Sequence, residues 1–239
     1  MSDHIVRAYD EDLVSLKTML AQMGGLAEDQ LAKAIEALAR RDTLMADQVI
    51  AQDEKVDALE LSIEEKAILT IARRQPMARD LREIMVAIRI SSDLERIGDL
   101  AKNLAKRVHA ISEQLPRKLS TGLTRMGRLS LEQLKNVLDA YASMSEAKAL
   151  EVWRGDEEVD ALYNSIFREL LTYMMEDPRM IGLCTHLLFG AKNFERIGDH
   201  ATNIAENVYY LVHGKPIREE RPKRDTTSTT TFETMTDRQ

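Results

Sequence analysis

Glu95-Arg96-Ile97-Gly98-Asp99 recurs in this chain as Glu195-Arg196-Ile197-Gly198-Asp199. The echo continues with Ala101, Asn103 and Ala105 against Ala201, Asn203 and Ala205. Upstream, Asp53-Glu54-Lys55-Val56-Asp57-Ala58-Leu59 is answered by Asp156-Glu157-Glu158-Val159-Asp160-Ala161-Leu162. Two motifs in the same order, at nearly the same separation, mark a tandem duplication. Each copy carries two pairs of acids spaced i and i+4.

Outward from these motifs the chain reads as helix throughout. Leu13, Leu16, Met19, Leu20 and Met23 step by three and four, and Leu31, Ala34, Ile35 and Leu38 continue the stripe. This predicts one helix from about residue 9 to about residue 41, with Gly24-Gly25 as its candidate kink. Asp42-Thr43 reads as a turn and N-cap. A second helix runs to about residue 74 and ends at Gln75-Pro76, because a residue before proline avoids the helical region. A third spans about 78 to 111. Ser112 to Gly122, with Pro116, is the linker candidate. The second copy repeats the layout from about 118 to 144, from 145 to a stop at Asp177-Pro178, and from 179 to a close at Gly214 and Pro216.

The fold class expected is therefore all-α, a tandem repeat of two antiparallel three-helix bundles built from six long helices. Helices of about 30 residues extend roughly 45 Å, and short turns make neighbours antiparallel. The boundaries are residues 1–112 and 118–214. Residues 215–239 are charged and then almost all Thr and Ser, so they are expected to form a disordered tail.

Bulk properties exclude several function classes. The net charge of −7 argues against a nucleic-acid partner, which favours a basic stripe. Cys184 is the only cysteine, which fits a reducing compartment. No basic and apolar leader opens the chain, and no apolar run approaches the roughly 20 residues that cross a bilayer. A cytoplasmic protein without direct membrane insertion is expected.

The acid pairs carry the chemistry. With Glu95 at zero on a helical wheel, Asp99 falls near 40°, while Ile97, Leu100, Leu104, Val108 and Ile111 fall between roughly 140° and 220°. Glu95 and Asp99 thus share a side away from the apolar stripe. Asp53 and Asp57 do the same on their helix. The row extends through Glu60 and Glu64 in the first copy, where the second holds Tyr163 and Phe167. Acids one turn apart repel. A single such pair is ordinarily a solvated face. Four, on helices expected to be neighbours, call for cations, and oxygen donors without cysteine select hard metals such as Mg, Mn, Ca or Fe. Asp53, Asp57, Glu95, Asp99, Asp156, Asp160, Glu195 and Asp199 are the metal-ligand candidates. Arg96 and Arg196 are read as salt-bridge partners of the acids, Gly98 and Gly198 as points of close helix approach, and Asn103 and Asn203 as outer groups. His200 is read as partly buried and Cys184 as a buried, inert thiol. No Glu-x-x-His pair, phosphate-cradling Gly-rich loop or Gly-x-Ser-x-Gly elbow is present. No nucleophile and base converge, so no catalytic residue is assigned.

The duplicated Glu-Arg-Ile-Gly-Asp motif, the upstream Asp-x-x-x-Asp motif and the paired three-helix layout resemble the PhoU family, over about residues 3–215. The resemblance implies a cytoplasmic, dimer-forming, metal-binding helical protein with iron, zinc, magnesium or manganese centres. Its metal motif, Glu or Asp followed three residues later by Asp, falls on the eight acids named above. It further implies a negative regulator of the phosphate-starvation response. Such a regulator couples the ATPase of a phosphate ABC transporter to a membrane sensor histidine kinase. A metal-dependent hydrolase and a metal-free helical scaffold stand as alternatives.

Overall fold

The computed structural model describes residues 2–111, 117–219 and 221. Six long helices and one short 3-10 turn account for nearly all of it: α1 (Ser2–Arg40), α2 (Thr43–Arg74), α3 (Arg79–Ala110), α4 (Arg117–Ala142), α5 (Glu146–Glu176), the turn Pro178–Met180 and α6 (Ile181–His213). The helix boundaries follow local chemistry. Asp42 caps α2 from an extended backbone, its carboxylate accepting the Met45 N–H at 2.9 Å. Ser145 caps α5 in the same way, and Gly214, at φ 72°, closes α6. Gln75 ends α2 in a left-handed conformation, φ 51° and ψ 54°, instead of the extended one that a following proline favours. The helix stops where expected but by another backbone route.

α1, α2 and α3 pack on one another, as do α4, α5 and α6. The two bundles are joined through α3 against α6 and α1 against α4, so the buried apolar residues form one continuous cluster. α1 runs as helix through Gly24-Gly25. Gly24 faces α4: a Cβ there would lie 2.7 Å from Leu138 Cδ2. The glycine admits a neighbouring helix. Gly127 does the same at the junction, where a Cβ would lie 2.9 Å from both Ile35 Cγ1 and Phe194 Cζ. Phe194 is fully buried there, a burial that contributes about 2–3 kcal/mol. Asp93 on α3 ties the bundles together by accepting from His200 Nδ1 at 2.9 Å and Asn203 Nδ2 at 3.3 Å.

Of the linker candidate, residues 112–116 lie outside the described residues, and α4 already begins at Arg117. The tail is described at residues 215–219 and 221, where Ile217 packs against the core; residues 220 and 222–239 lie outside the described residues.

Candidate functional site

The acids of α2 and α3 meet along the seam between those helices, and those of α5 and α6 along the equivalent seam in the second bundle. The wheel separates them from the apolar stripe, yet the inner acids are not solvated. Asp53 is 2% exposed, Asp156 1%, Asp160 2% and Glu195 3%. The neighbouring helix covers the flank that a single wheel leaves open. Asp57, Glu95, Asp99 and Asp199 lie at the rim, partly buried.

The motif glycines make this approach possible. A Cβ at Gly98 would lie 3.1 Å from Gln30 Oε1, 3.3 Å from Val56 Cγ1 and 3.5 Å from Asp53 Oδ1. At Gly198 it would lie 3.0 Å from Gln133 Oε1 and 3.2 Å from Asp156 Oδ1. Glycine inside a helix costs about 1 kcal/mol relative to alanine. Here it lets a buried aspartate and a buried glutamine reach the α3 or α6 backbone. Those glutamines escaped the sequence reading. Gln30 of α1 donates to Asp53 Oδ1 at 3.0 Å and to the Val49 carbonyl at 3.3 Å. Gln133 of α4 stands 23 residues before Asp156, as Gln30 stands 23 before Asp53. That shared offset was the available signal.

Each seam also holds a cation of the chain itself. In the first, Lys102 Nζ donates to the buried Asp53 and, at 3.3 Å, to Asp99 Oδ1. In the second, one guanidinium nitrogen of Arg221 donates to Asp156 Oδ2 at 2.7 Å and to Asp199 Oδ1 at 2.6 Å. Arg96 pairs with Glu95 at 3.4 Å and Asp99 at 3.9 Å, the salt-bridge role its position implies. The corresponding second-copy acid, Glu195, pairs with Lys192 at 2.8 Å, and Lys192 stacks over the Tyr163 ring. Tyr163, where the first copy has Glu60, thus makes the second seam the more enclosed one. Asn203 and His200 turn to Asp93 at the bundle junction, away from the acids, and Asn103 is exposed. Cys184 is fully buried and its thiol is pushed up by burial.

The electrostatics record the crowding. Burial raises the Asp57 carboxyl, and the charge of Asp53 raises it further. Burial raises Glu95, with Arg96 opposing and Asp99, Glu60 and Asp57 adding to the rise. Asp156 is pushed up to about 6, by burial first; Arg221 opposes, and Asp160 and Asp199 add. Carboxylates that resist ionisation beside other carboxylates are groups a cation relieves.

Among the described residues, no three His, Cys, Asp or Glu side chains converge as a ready-made ion cage. The donor set nonetheless fits a hard cation. The facing side chains offer carboxylate and amide oxygens, and an ammonium or guanidinium already bridges carboxylates from two helices in each seam. Exchange of that group for a metal requires the acids to close inward.

The fold and its two acidic seams define a class: duplicated three-helix-bundle proteins with paired carboxylates between their second and third helices. The PhoU domain matches this chain twice, at residues 20–108 and 123–208. The chain therefore belongs to the PhoU family. It is 58% identical over 227 residues to the phosphate-specific transport system accessory protein PhoU homolog of Rhizobium meliloti (strain 1021), covering 95% of this chain and 96% of that one. It is 39% identical over 218 residues to the phosphate-specific transport system accessory protein PhoU of Escherichia coli (strain K12), covering 91% and 90%. The crystal structure of PhoU from Pseudomonas aeruginosa superimposes with a TM-score of 0.84 at 39% identity, over 87% of this chain and 100% of that one. No helix among the described residues is long and apolar enough to cross a membrane.

Proposed function

We propose that this chain is a non-enzymatic regulator attached to a phosphate-specific transport system. In this reading it restrains phosphate uptake and the phosphate-starvation response in the cytoplasm. It does so by docking on the transporter's ATPase and on a membrane sensor histidine kinase. The observation that carries the transport role is near-full-length similarity to accessory proteins of such systems. The kinase and negative regulation follow from family resemblance. Dimer formation is supported by Leu61 and Ile68, two turns apart on α2 and 64% and 54% exposed.

We further propose that both seams bind divalent cations. Asp53, Asp57, Glu95 and Asp99 would hold one centre, and Asp156, Asp160, Glu195 and Asp199 the other. Magnesium, manganese, iron or zinc would supply positive charge that neutralises the seam and a Lewis-acid surface for a partner's carboxylate or phosphate. The residues favour a geometry that matters for docking: Gly98 and Gly198 let the two acid-bearing helices of each bundle approach closely, and Gln30 bonds Asp53 in the first.

Two experiments test this. The protein is used as bait in phosphate-replete cells, with and without chelator; recovery of the transporter ATPase or the kinase supports regulation, and recovery of neither refutes it. Replacing Glu95 and Asp99 by Ala lowers metal content in elemental analysis while leaving the helical circular dichroism intact. Unchanged metal content removes the metal assignment.

A further inference from the structure

The two halves obtain their internal cation from different places. Lys102 is part of α3 and sits three residues beyond Asp99 on the same helix. Its counterpart on α6 is Thr202, whose hydroxyl is turned to the Gly198 carbonyl at 3.0 Å. The second seam therefore has no cation at that position and takes one from beyond the repeat. After His213 the chain reverses at Gly214, whose N–H bonds the Tyr210 carbonyl at 2.8 Å. At φ 72° the reversal takes the left-handed conformation that favours glycine, and the Arg82 guanidinium lies close against it. Ile217 then packs against the core. Arg221, its side chain 16% exposed, ends on Asp156 and Asp199.

The distances agree. Asp199 lies about 21 Å back along α6 from the reversal, at about 1.5 Å per helical residue. The seven residue steps from Gly214 to Arg221 can reach at most about 23 Å, which is enough to return to Asp199. Docking is incomplete in one respect: a single guanidinium nitrogen makes both bonds, and the buried Nε has no protein acceptor among the described residues. A guanidinium engaged through one nitrogen forgoes the paired geometry that holds arginine on carboxylates most firmly. A helix-borne lysine stays near its acids whatever binds there. A strap-borne arginine can leave altogether.

We propose that Arg221 is a tethered counter-ion that competes with a divalent cation for the second acidic seam, so that metal loading releases Arg221 and, with it, the strap of residues 214–219. The inference rests on the metal-binding reading above. It makes the second centre a switch whose occupancy is visible at the end of the chain, whereas the first centre has no such output. If the strap is docked about nine-tenths of the time, it lowers the apparent metal affinity of the second centre about tenfold.

The test uses Mn2+ with the full chain, comparing wild type, Arg221→Gln and Arg221→Lys. Free Mn2+ is followed by electron paramagnetic resonance, and strap opening by hydrogen exchange in residues 214–221. The expected result is about tenfold tighter binding at one centre in Arg221→Gln, with Arg221→Lys between it and wild type. In wild type, strap exchange rises as Mn2+ saturates. Mn2+ binding that is equal or weaker in Arg221→Gln, with strap exchange unaffected by Mn2+ in wild type, overturns the competition and leaves the metal centres standing. No Mn2+ binding in any variant overturns the metal reading, and this inference with it.

Discussion

Gly98→Ala tests whether the motif glycine exists to bring α2 and α1 onto α3. Two effects oppose one another. Alanine is favoured over glycine inside a helix by about 1 kcal/mol. Against this, the new Cβ would meet Gln30 Oε1 at 3.1 Å and Val56 Cγ1 at 3.3 Å, both tighter than ordinary contact. Gln30 is fully buried, and its amide is held by Asp53 and the Val49 carbonyl. It cannot swing away without loosening a bond to a charged acceptor, a class worth about 1.5–3 kcal/mol. Crowding a packed interior costs about 1–3 kcal/mol in all when neighbours must shift, and the charged acceptor puts this site in the upper half of that range. The clash wins: Gly98→Ala is expected to destabilise by about 1–2 kcal/mol. Gly25→Ala is the control, since nothing lies within 4 Å of a Cβ there. It is expected to stabilise by up to about 1 kcal/mol. Thermal unfolding followed by circular dichroism resolves the two, at about 2–4 °C per kcal/mol for a chain of this size. If Gly98→Ala raises the midpoint as Gly25→Ala does, the close approach is not what the glycine serves.

Other outcomes follow from the same geometry. Lys102→Ala leaves the buried Asp53 without its ammonium partner and is expected to lower stability by about 1–3 kcal/mol. Mn2+ should raise the melting midpoint more in that variant than in wild type, and an equal rise would argue against a shared seat. In the metal-free protein, a carboxyl NMR titration should place Asp156 near 6. Because its folded value lies above the unfolded one of 3.8, its stabilising contribution is full at low pH and is lost as pH rises from about 4 to about 6. Removing Arg221 should push it higher still, since the guanidinium lowers it. Asp42→Ala should cost about 1 kcal/mol by removing the α2 N-cap, measurable as a lower urea midpoint.

The helices were legible because their signals are local and repeated. The three-and-four stripe, the caps at Asp42 and Gly214, and the proline stops place the element ends within a few residues, except that α1 begins at Ser2, ahead of the stripe that starts near residue 9. The candidate ligands were legible because duplication shows the same acids twice. Their burial was not legible. A wheel states angles within one helix, whereas Asp53 and Asp156 are enclosed by others. Gln30 and Gln133 sit in ordinary amphipathic stretches of α1 and α4, and only their equal offset from Asp53 and Asp156 hinted at a shared role. Nothing in the local pattern around Lys102 marks it as the partner of a buried acid on another helix. Arg221 lies in a stretch whose composition argues for disorder, and composition says nothing about one arginine meeting two buried carboxylates. α1 stays helical through Gly24-Gly25, and the contact Gly24 makes there, with Leu138, is more than 100 residues away in sequence and so has no local signal.

Anomalous diffraction at the manganese edge, from crystals grown in excess Mn2+, shows whether the two acidic seams hold metal. Density is expected between Asp53, Asp57, Glu95 and Asp99, and again between Asp156, Asp160, Glu195 and Asp199, with Lys102 and Arg221 displaced from the acids. Crystals saturated with Mn2+ that show neither peak, with both cationic side chains still bridging their aspartates, would contradict the metal assignment.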